Sequence, residues 1–348
     1  MLRYQAEFPH GRIYRDLGRN PQYNPFERSI LRSLWGRYFG RRQAKTGEVV
    51  AISLSRDGVA LVHSRLGETA EIVSAQAEAV SAADRGDWIA QQVGRLGLAG
   101  AACRMVMDPS QYRTLQVAAP EVPPEEVAAA LRWRVQDMID FATDQAEIEY
   151  FPMPTSDRSH RDQMITVAVC RREVVADYTQ WCGRCGLALD VIDIPELCLR
   201  NLIARFPEAE RGVALLRLEP SSGELLVQKG SALYVMRDLD VAGGTLEQAL
   251  TQGDAEQAGG LMDVLALEIQ RSLDYYESYY GLPTLGSLVV APLTRHTQQL
   301  VDRLNQSLGV ICRAMDASAL VHCREPLEDA IQQAALPAIG VLLRGAPA

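Results

Sequence analysis

Two short segments of this sequence place small and charged residues at tight turns between strands. Ser53-Leu54-Ser55 runs into the turn Arg56-Asp57-Gly58, and Arg217-Leu218-Glu219 runs into a turn read at Ser221-Ser222-Gly223. Gly243-Gly244, within Val241-Ala242-Gly243-Gly244-Thr245, is a third candidate, although a lone Gly-Gly pair is a weak signal. No Gly-x-Ser-x-Gly elbow and no Walker loop is present, and His10, His63, His160, His296 and His322 form no ligand spacing. Cys182-Gly183-Arg184-Cys185 has redox spacing but falls at a helix C-terminus, where the dipole disfavours a thiolate. No second pair completes a zinc site, so the two are read as structural cysteines. The expectation is no catalytic residue and no metal site.

The elements that must position these segments read as two similar series. Residues 49–54, 59–63 and 69–73 read as a three-strand meander, followed by a helix at 84–96 and a strand at 102–107. The order returns downstream, with strands at 213–218, 224–228 and 231–238. A long helix at 261–279, a strand at 287–290, a helix at 295–308 and a strand at 310–313 follow. Between the two lies a different unit. Pro120, Pro123 and Pro124 introduce a helix at 125–139, then come an extended stretch at 147–152, a polar loop at 155–162 and a strand at 165–170. A helix at 172–185 is stopped by Gly186. This is an α/β chain with a duplicated architecture and a small α+β insertion. The expected units are an arm at 1–47, a first domain at 48–110, an insertion at 111–190 and a second domain at 191–348, whose last helix returns to the first.

Composition fits a globular chain, with 47% hydrophobic and 23% charged residues, and no apolar run is long enough to cross a bilayer. The N-terminus does not read as a secretory signal. Seven cysteines scattered between Cys103 and Cys323 read as free thiols in a reducing compartment. Charge is uneven. Residues 1–45 hold nine arginines and Lys45 against Glu7, Asp16 and Glu27, so the arm carries +7 of a net −9 and the rest carries −16. An acidic body argues against wrapping nucleic acid, and nothing points to a small-molecule substrate. Within the arm Ile30, Leu31, Leu34, Trp35, Tyr38 and Phe39 form one helical stripe, flanked by Arg28, Arg32, Arg37, Arg41 and Arg42. Leu34, Trp35, Phe39 and Arg41 are therefore candidates to contact an anionic membrane surface, the protein's own body or a partner. Four tyrosines, Tyr275, Tyr276, Tyr279 and Tyr280, close the long helix and read mainly as core.

Three stretches carry a family resemblance: 131–141 (Leu-Arg-Trp-Arg-Val-Gln-Asp-Met-Ile-Asp-Phe), 167–175 leading to Cys185-Gly186-Leu187 and Val191-Ile192-Asp193, and 267–273 (Leu-Glu-Ile-Gln-Arg-Ser-Leu). From about residue 48 onward the chain resembles the PilM family of type IV pilus assembly proteins, and more narrowly the MshI group of mannose-sensitive haemagglutinin (MSHA) pilus biogenesis. The resemblance implies an actin-like fold, two RNase H-like domains around a cleft, peripheral to the inner membrane. It also implies a partner, the cytoplasmic tail of a PilN-type membrane protein. Trp133, Val135, Met138, Ile139 and Phe141 are the candidates to grip that tail.

The same resemblance exposes departures. The resemblance implies a first hairpin that cradles phosphate with Asp-x-Gly and a returning Lys, the acid holding Mg²⁺ and the glycine leaving room, whereas Ser53 stands at the Asp place, Ser55 at the Gly place and Ala60 at the Lys place. Arg217 and Glu219 replace the Asp and Gly of the second hairpin. Val290-Ala291-Pro292-Leu293 replaces a Gly-rich turn under the adenosine. A glutamate facing phosphate costs about 4 kcal/mol per unit-charge pair at 4 Å and an effective dielectric near 20. ATP with Mg²⁺ is therefore not expected as a cofactor, and the chain reads as a pseudo-ATPase scaffold. The alternatives are a working ATPase in which Asp193 or Glu268 reaches the cleft, and the cytoplasmic platform of a type II secretion system. The latter is weakened because related secretion proteins continue into a membrane span.

Overall fold

The computed structural model describes residues 47–65, 71–123, 126–154 and 164–344. The arm, with Leu34, Trp35, Phe39 and Arg41, and the loop read at 155–162 lie outside the described residues.

Continuous apolar runs make central strands, and β1 (Glu48–Ser55) is buried at six of its eight positions. It pairs antiparallel with β2 (Gly58–Arg65), which pairs antiparallel with β3 (Glu71–Glu78). On its other side β1 runs parallel to β4 (Ala102–Val106), and β4 runs parallel to β8 (Ala188–Asp193). A short β14 (His322–Cys323) completes a six-stranded sheet of order β14-β3-β2-β1-β4-β8. The second sheet repeats the plan with β9 (Val213–Glu219), β10 (Ser222–Lys229), β11 (Ala232–Leu239), β12 (Ser287–Val290) and β13 (Ile311–Ala314), in the order β11-β10-β9-β12-β13. Apart from β14, both sheets share one order, third-second-first-fourth-fifth. The duplication read from the sequence is thus a duplicated topology.

The two sheets bury their facing sides on shared helices. α4 (Pro195–Ile203) and α8 (Asp329–Leu342) supply Leu199, Leu202, Ile203, Leu336, Ile339 and Val341 to one apolar core. That core also takes Val49, Ala51, Ala60 and Val62 from the first sheet, and Val213, Leu215, Leu226 and Val289 from the second. The last helix therefore packs on the first sheet, and Arg104 of β4 donates to its final-turn carbonyls, Val341 O at 2.9 Å and Leu342 O at 3.0 Å. The outer faces are covered separately. α1 (Arg85–Leu96) and α3 (Arg172–Arg184) lie on the first sheet through Trp88, Ile89, Val93, Val175 and Tyr178. α5 (Gly243–Gln252), α6 (Ala255–Tyr280) and α7 (Thr297–Ser307) lie on the second through Leu246, Leu265, Ile269, Leu273 and Leu300.

The inserted unit is an antiparallel sheet of β5 (Tyr112–Ala118), β7 (Met164–Arg171) and β6 (Ala146–Pro152), in the order β5-β7-β6, packed on α2 (Val127–Val135). Two boundaries differ from the sequence reading. The helix read to residue 139 ends at Val135 in a turn of 3₁₀ helix, and Ile139 is already extended. Arg132 draws the chain back by donating to Thr143 O and Ala146 O at 2.9 and 3.1 Å. The segment 172–190, read as the tail of the insertion, instead forms α3 and the first half of β8, and β8 hydrogen-bonds to β4 in the first sheet. Gly186 does stop α3, at φ +73°.

Candidate functional site

The β1–β2 and β9–β10 turns face one another across the space between the two sheets and touch. Asp57 Oδ2 accepts hydrogen bonds from Ser221 N at 3.2 Å and Ser221 Oγ at 3.0 Å. The turn of the second hairpin is Pro220–Ser221, one residue earlier than the sequence suggested, because Ser222 pairs with Glu219.

Beneath the first turn the site provides its own counter-ions. Ser53 is buried, and Ser55 Oγ accepts from Asp57 N at 3.2 Å. Arg85, in the first turn of α1, reaches under the hairpin. Its Nη2 donates to Ser55 O at 2.5 Å, and its Nη1 pairs with Asp108 Oδ2 at 2.7 Å, both side chains nearly inaccessible. Asp108 is held in turn by Ser110 N at 2.8 Å and Ser110 Oγ at 2.7 Å. Asp108, the buried acid beneath this hairpin, is therefore committed to a guanidinium, and a buried carboxylate so satisfied makes a poor Mg²⁺ ligand.

The second hairpin follows the same logic with different residues. Arg217 is 3% exposed, and it bridges Glu219 Oε1 at 2.5 Å and Glu224 Oε1 at 2.7 Å. Arg217 and Glu219 share a strand face at i and i+2, and Glu224 sits directly across from Arg217 in the register. Burial, only partly offset by Arg217, holds the Glu219 carboxyl above its ordinary range. The cluster carries two acids for one base, so it repels rather than attracts phosphate.

Gly243 and Gly244 open α5 against this hairpin. Gly244 N donates to Pro220 O at 3.0 Å. A Cβ on Gly243 would lie 2.9 Å from Glu219 O, and one on Gly244 only 2.5 Å from Pro220 O. The glycines thus serve close contact between helix and hairpin backbones. Gly244→Ala is expected to cost about 1–2 kcal/mol by forcing that contact apart, read as a lowered urea midpoint with an unchanged slope.

The acids weighed from the sequence are occupied. Asp193 is buried, accepts from Ile194 N at 2.9 Å and pairs with Arg344, and Glu268 on α6 accepts from Asp240 N at 3.2 Å. Among the described residues no cluster of His, Cys, Asp or Glu is arranged to hold a metal ion. Cys182 and Cys103 are buried with Sγ atoms 3.6 Å apart, and burial raises the neighbouring Cys185 thiol.

Glu196, like Arg85, Asp108 and Glu224, escaped the sequence reading. Glu196, in the first turn of α4, accepts a hydrogen bond from Tyr112 Oη at 2.7 Å. Burial and then the charge of Glu224 raise its carboxyl to about 7. A carboxyl raised in the folded state stabilises folding below its unfolded value of 4.5, and that contribution is lost as pH climbs to about 7. Glu196→Gln keeps an acceptor for Tyr112. It is expected to add about 2 kcal/mol at pH 8 and almost nothing at pH 4.5, so urea titrations across that window should show the slope flatten.

The five residues assigned to a partner tail are divided by the structure. Trp133 is 77% exposed and Met138 43% exposed. Ile139 and Phe141 are half-buried against the core of the inserted unit, with the Arg171 guanidinium 4.3 Å from the Phe141 ring centroid. Val135 is fully buried beside Val127 and Leu131, so its assignment is corrected: it is core. Val127, Leu131 and Val135 recur every four residues along the buried stripe of α2, and Trp133, two residues from Val135, lies on the other side of the helix.

No protein-family model matches this chain, and no curated protein matches it. Solved structures do. One of a PilM-PilN type IV pilus biogenesis complex aligns at TM-score 0.67 with 18% identity, over 86% of this chain and 99% of the other. The cytoplasmic domain of EpsL, an inner-membrane component of the Vibrio cholerae type II secretion system, aligns at TM-score 0.46 and 12% identity, over 84% and 94%. A Bacteroides thetaiotaomicron protein of unknown function with an actin-like ATPase fold aligns at 0.49 and 8%, over 84% and 96%. The latter two similarities are too loose to carry weight, whereas the first, with the duplicated topology, places the chain in the actin-like fold.

Proposed function

We propose that this actin-like chain is a non-hydrolysing cytoplasmic scaffold of a type IV pilus assembly platform, peripheral to the inner membrane, that holds the tail of a PilN-type membrane protein. The observation that carries the reading is the self-satisfied cleft. Arg85 and Asp108 occupy the first hairpin, Arg217 with Glu219 and Glu224 the second, and α5 meets the hairpin backbone directly. Phosphoryl transfer depends on positioned cations around phosphate, and this cleft offers carboxylates already paired. The similarity to the PilM-PilN structure supports the partner class. The narrower assignment to the MSHA pilus rests on the residues of the resemblance at 131–141 and 167–175. No helix among the described residues is long and apolar enough to cross a membrane, in keeping with a peripheral role.

Calorimetric titration with Mg-ATP tests the cleft. The expected result is no heat and no thermal stabilisation at millimolar nucleotide, and micromolar binding would replace the scaffold with a working ATPase. A synthetic PilN-type tail is expected to bind. Trp133→Ala should weaken that binding at least tenfold, about 1.4 kcal/mol, and an unchanged affinity would remove the exposed end of α2 from the interface.

A further inference from the structure

Three separate parts of the chain meet at one carboxyl group. Glu196 stands in the first turn of α4, and its partner Tyr112 is the first residue of β5, where the chain leaves the first domain for the inserted unit. Glu224 and Asp238 act on it from β10 and β11 of the second sheet. Glu224 is also one of the two acids held by Arg217, so the ion cluster of the second hairpin ends against α4. The charges of this junction do not balance. Glu196, Glu219, Glu224 and Asp238 are acids gathered near the guanidinium of Arg217, which Glu219 and Glu224 already occupy. Tyr112, and Cys198 two residues on in α4, stay neutral because burial raises both.

The two sides of the junction are held differently. α4 is fixed to the first domain. Asn201 Nδ2 donates to Gly340 O of α8 at 3.1 Å, and Asp193, just ahead of α4, pairs with Arg344. The two hairpins, by contrast, are joined across the mouth of the cleft by exposed hydrogen bonds from Ser221 to Asp57.

We propose that Glu196 is a proton-operated latch of the cleft: neutral, it lets β10 close on α4, and ionised, it drives the second hairpin away from α4 and the base of the inserted unit. The direction follows from its neighbours. Ionisation sets Glu196 against Glu224 and Asp238, while Arg217 is already taken. The bond from Tyr112 strengthens when its acceptor becomes charged, so β5 stays with α4 and the contact with β10 gives way. Separation admits water and returns Glu196 toward its ordinary value of 4.5, from the value of about 7 that burial and then Glu224 impose in the closed form. A carboxyl raised in one state favours that state at low pH, and the advantage is lost as pH climbs to the raised value. The closed form is therefore favoured near pH 5, loses ground up to about pH 7, and changes little beyond. Glu219, raised by its own burial, acts in the same direction from β9. The latch rests on this cluster alone and not on the identity of a partner.

Double electron–electron resonance on the full-length protein reads the cleft directly. Spin labels are attached through p-acetylphenylalanine in place of Thr114 on β5 and Gln248 on α5, both exposed, which leaves the native cysteines untouched. Between pH 5.5 and pH 8 the ratio of a longer to a shorter distance is expected to rise at least tenfold, with circular dichroism unchanged. Glu196→Gln, which keeps an acceptor for Tyr112, should hold the pH 5.5 ratio at pH 8. A parent ratio indifferent to pH would overturn the proposal. So would a pH dependence kept in full by Glu196→Gln, which would assign it to Glu219 instead. Loss of circular dichroism in step with the distance change would mean unfolding rather than opening, and would overturn it as well.

Discussion

Replacing Arg217 by alanine is expected to cost about 3–5 kcal/mol of folding stability, because it strands the acids that the guanidinium neutralises. The guanidinium is 3% exposed and partners Glu219 and Glu224, so its removal strands two acids, one of them almost wholly buried. The sign of the pH dependence follows from the same contacts. Glu219 already sits above the ordinary carboxyl range through burial, and without Arg217 it rises further. A raised folded-state value favours folding at low pH and penalises it as pH increases. The deficit should therefore shrink on acidification from pH 8 toward pH 5. Replacing all three residues, with Arg217→Met, Glu219→Gln and Glu224→Gln, should recover most of the loss, because a buried ion cluster is commonly matched by neutral groups of similar volume. Urea unfolding of the single and triple variants at the two pH values measures both outcomes. A single variant as stable as the parent would mean that water reaches the carboxylates.

The second large effect lies far from the cleft. Gly340→Ala in α8 should cost about 3 kcal/mol or more, above the usual range for added methyl groups in a packed core. The added Cβ would stand 2.1 Å from Cys198 O and 2.5 Å from Cys198 C, backbone atoms of α4. A side chain in that place could swing aside, but a helix backbone can move only by separating α4 from α8. Separation would also stretch the bond from Asn201 Nδ2 to Gly340 O, now 3.1 Å. A fall in melting temperature of several degrees is expected. Because α4 and α8 lie between the two sheets, tail binding measured below the melting temperature should be affected little by comparison with Trp133→Ala.

Much of this architecture was legible in the residues. Apolar runs such as Val49-Val50-Ala51-Ile52 announce central strands because both faces are buried, and the repeated meander of three strands appears as two sheets of one topology. The site was harder to read, for reasons of register and distance. The Arg217–Glu224 pair depends on a turn at Pro220–Ser221, and shifting that turn by one residue hides it. Arg85 and Asp108 are separated by 23 positions and meet only after α1 folds over the first hairpin. Tyr112 and Glu196 are 84 positions apart and belong to the insertion and to α4. Periodicity reports which face of an element is apolar, and it says nothing about such pairs. The same limit explains Val135, whose spacing fits the buried stripe of α2 as well as a partner groove. The tyrosines divided as helical geometry requires, with Tyr276 and Tyr280 buried and Tyr275 exposed.

The return of α8 to the first sheet also sets when that sheet can be finished. Val49, Ala51, Ala60 and Val62 share their core with Leu336, Ile339 and Val341. A ribosome adding about 5–20 residues per second needs on the order of tens of seconds to make the intervening chain. Throughout that interval the nascent first half carries an apolar sheet face waiting for its last helix. Chaperone occupancy during synthesis, rather than stability once complete, is then the stage at which truncations or slow codons late in the message would be felt first.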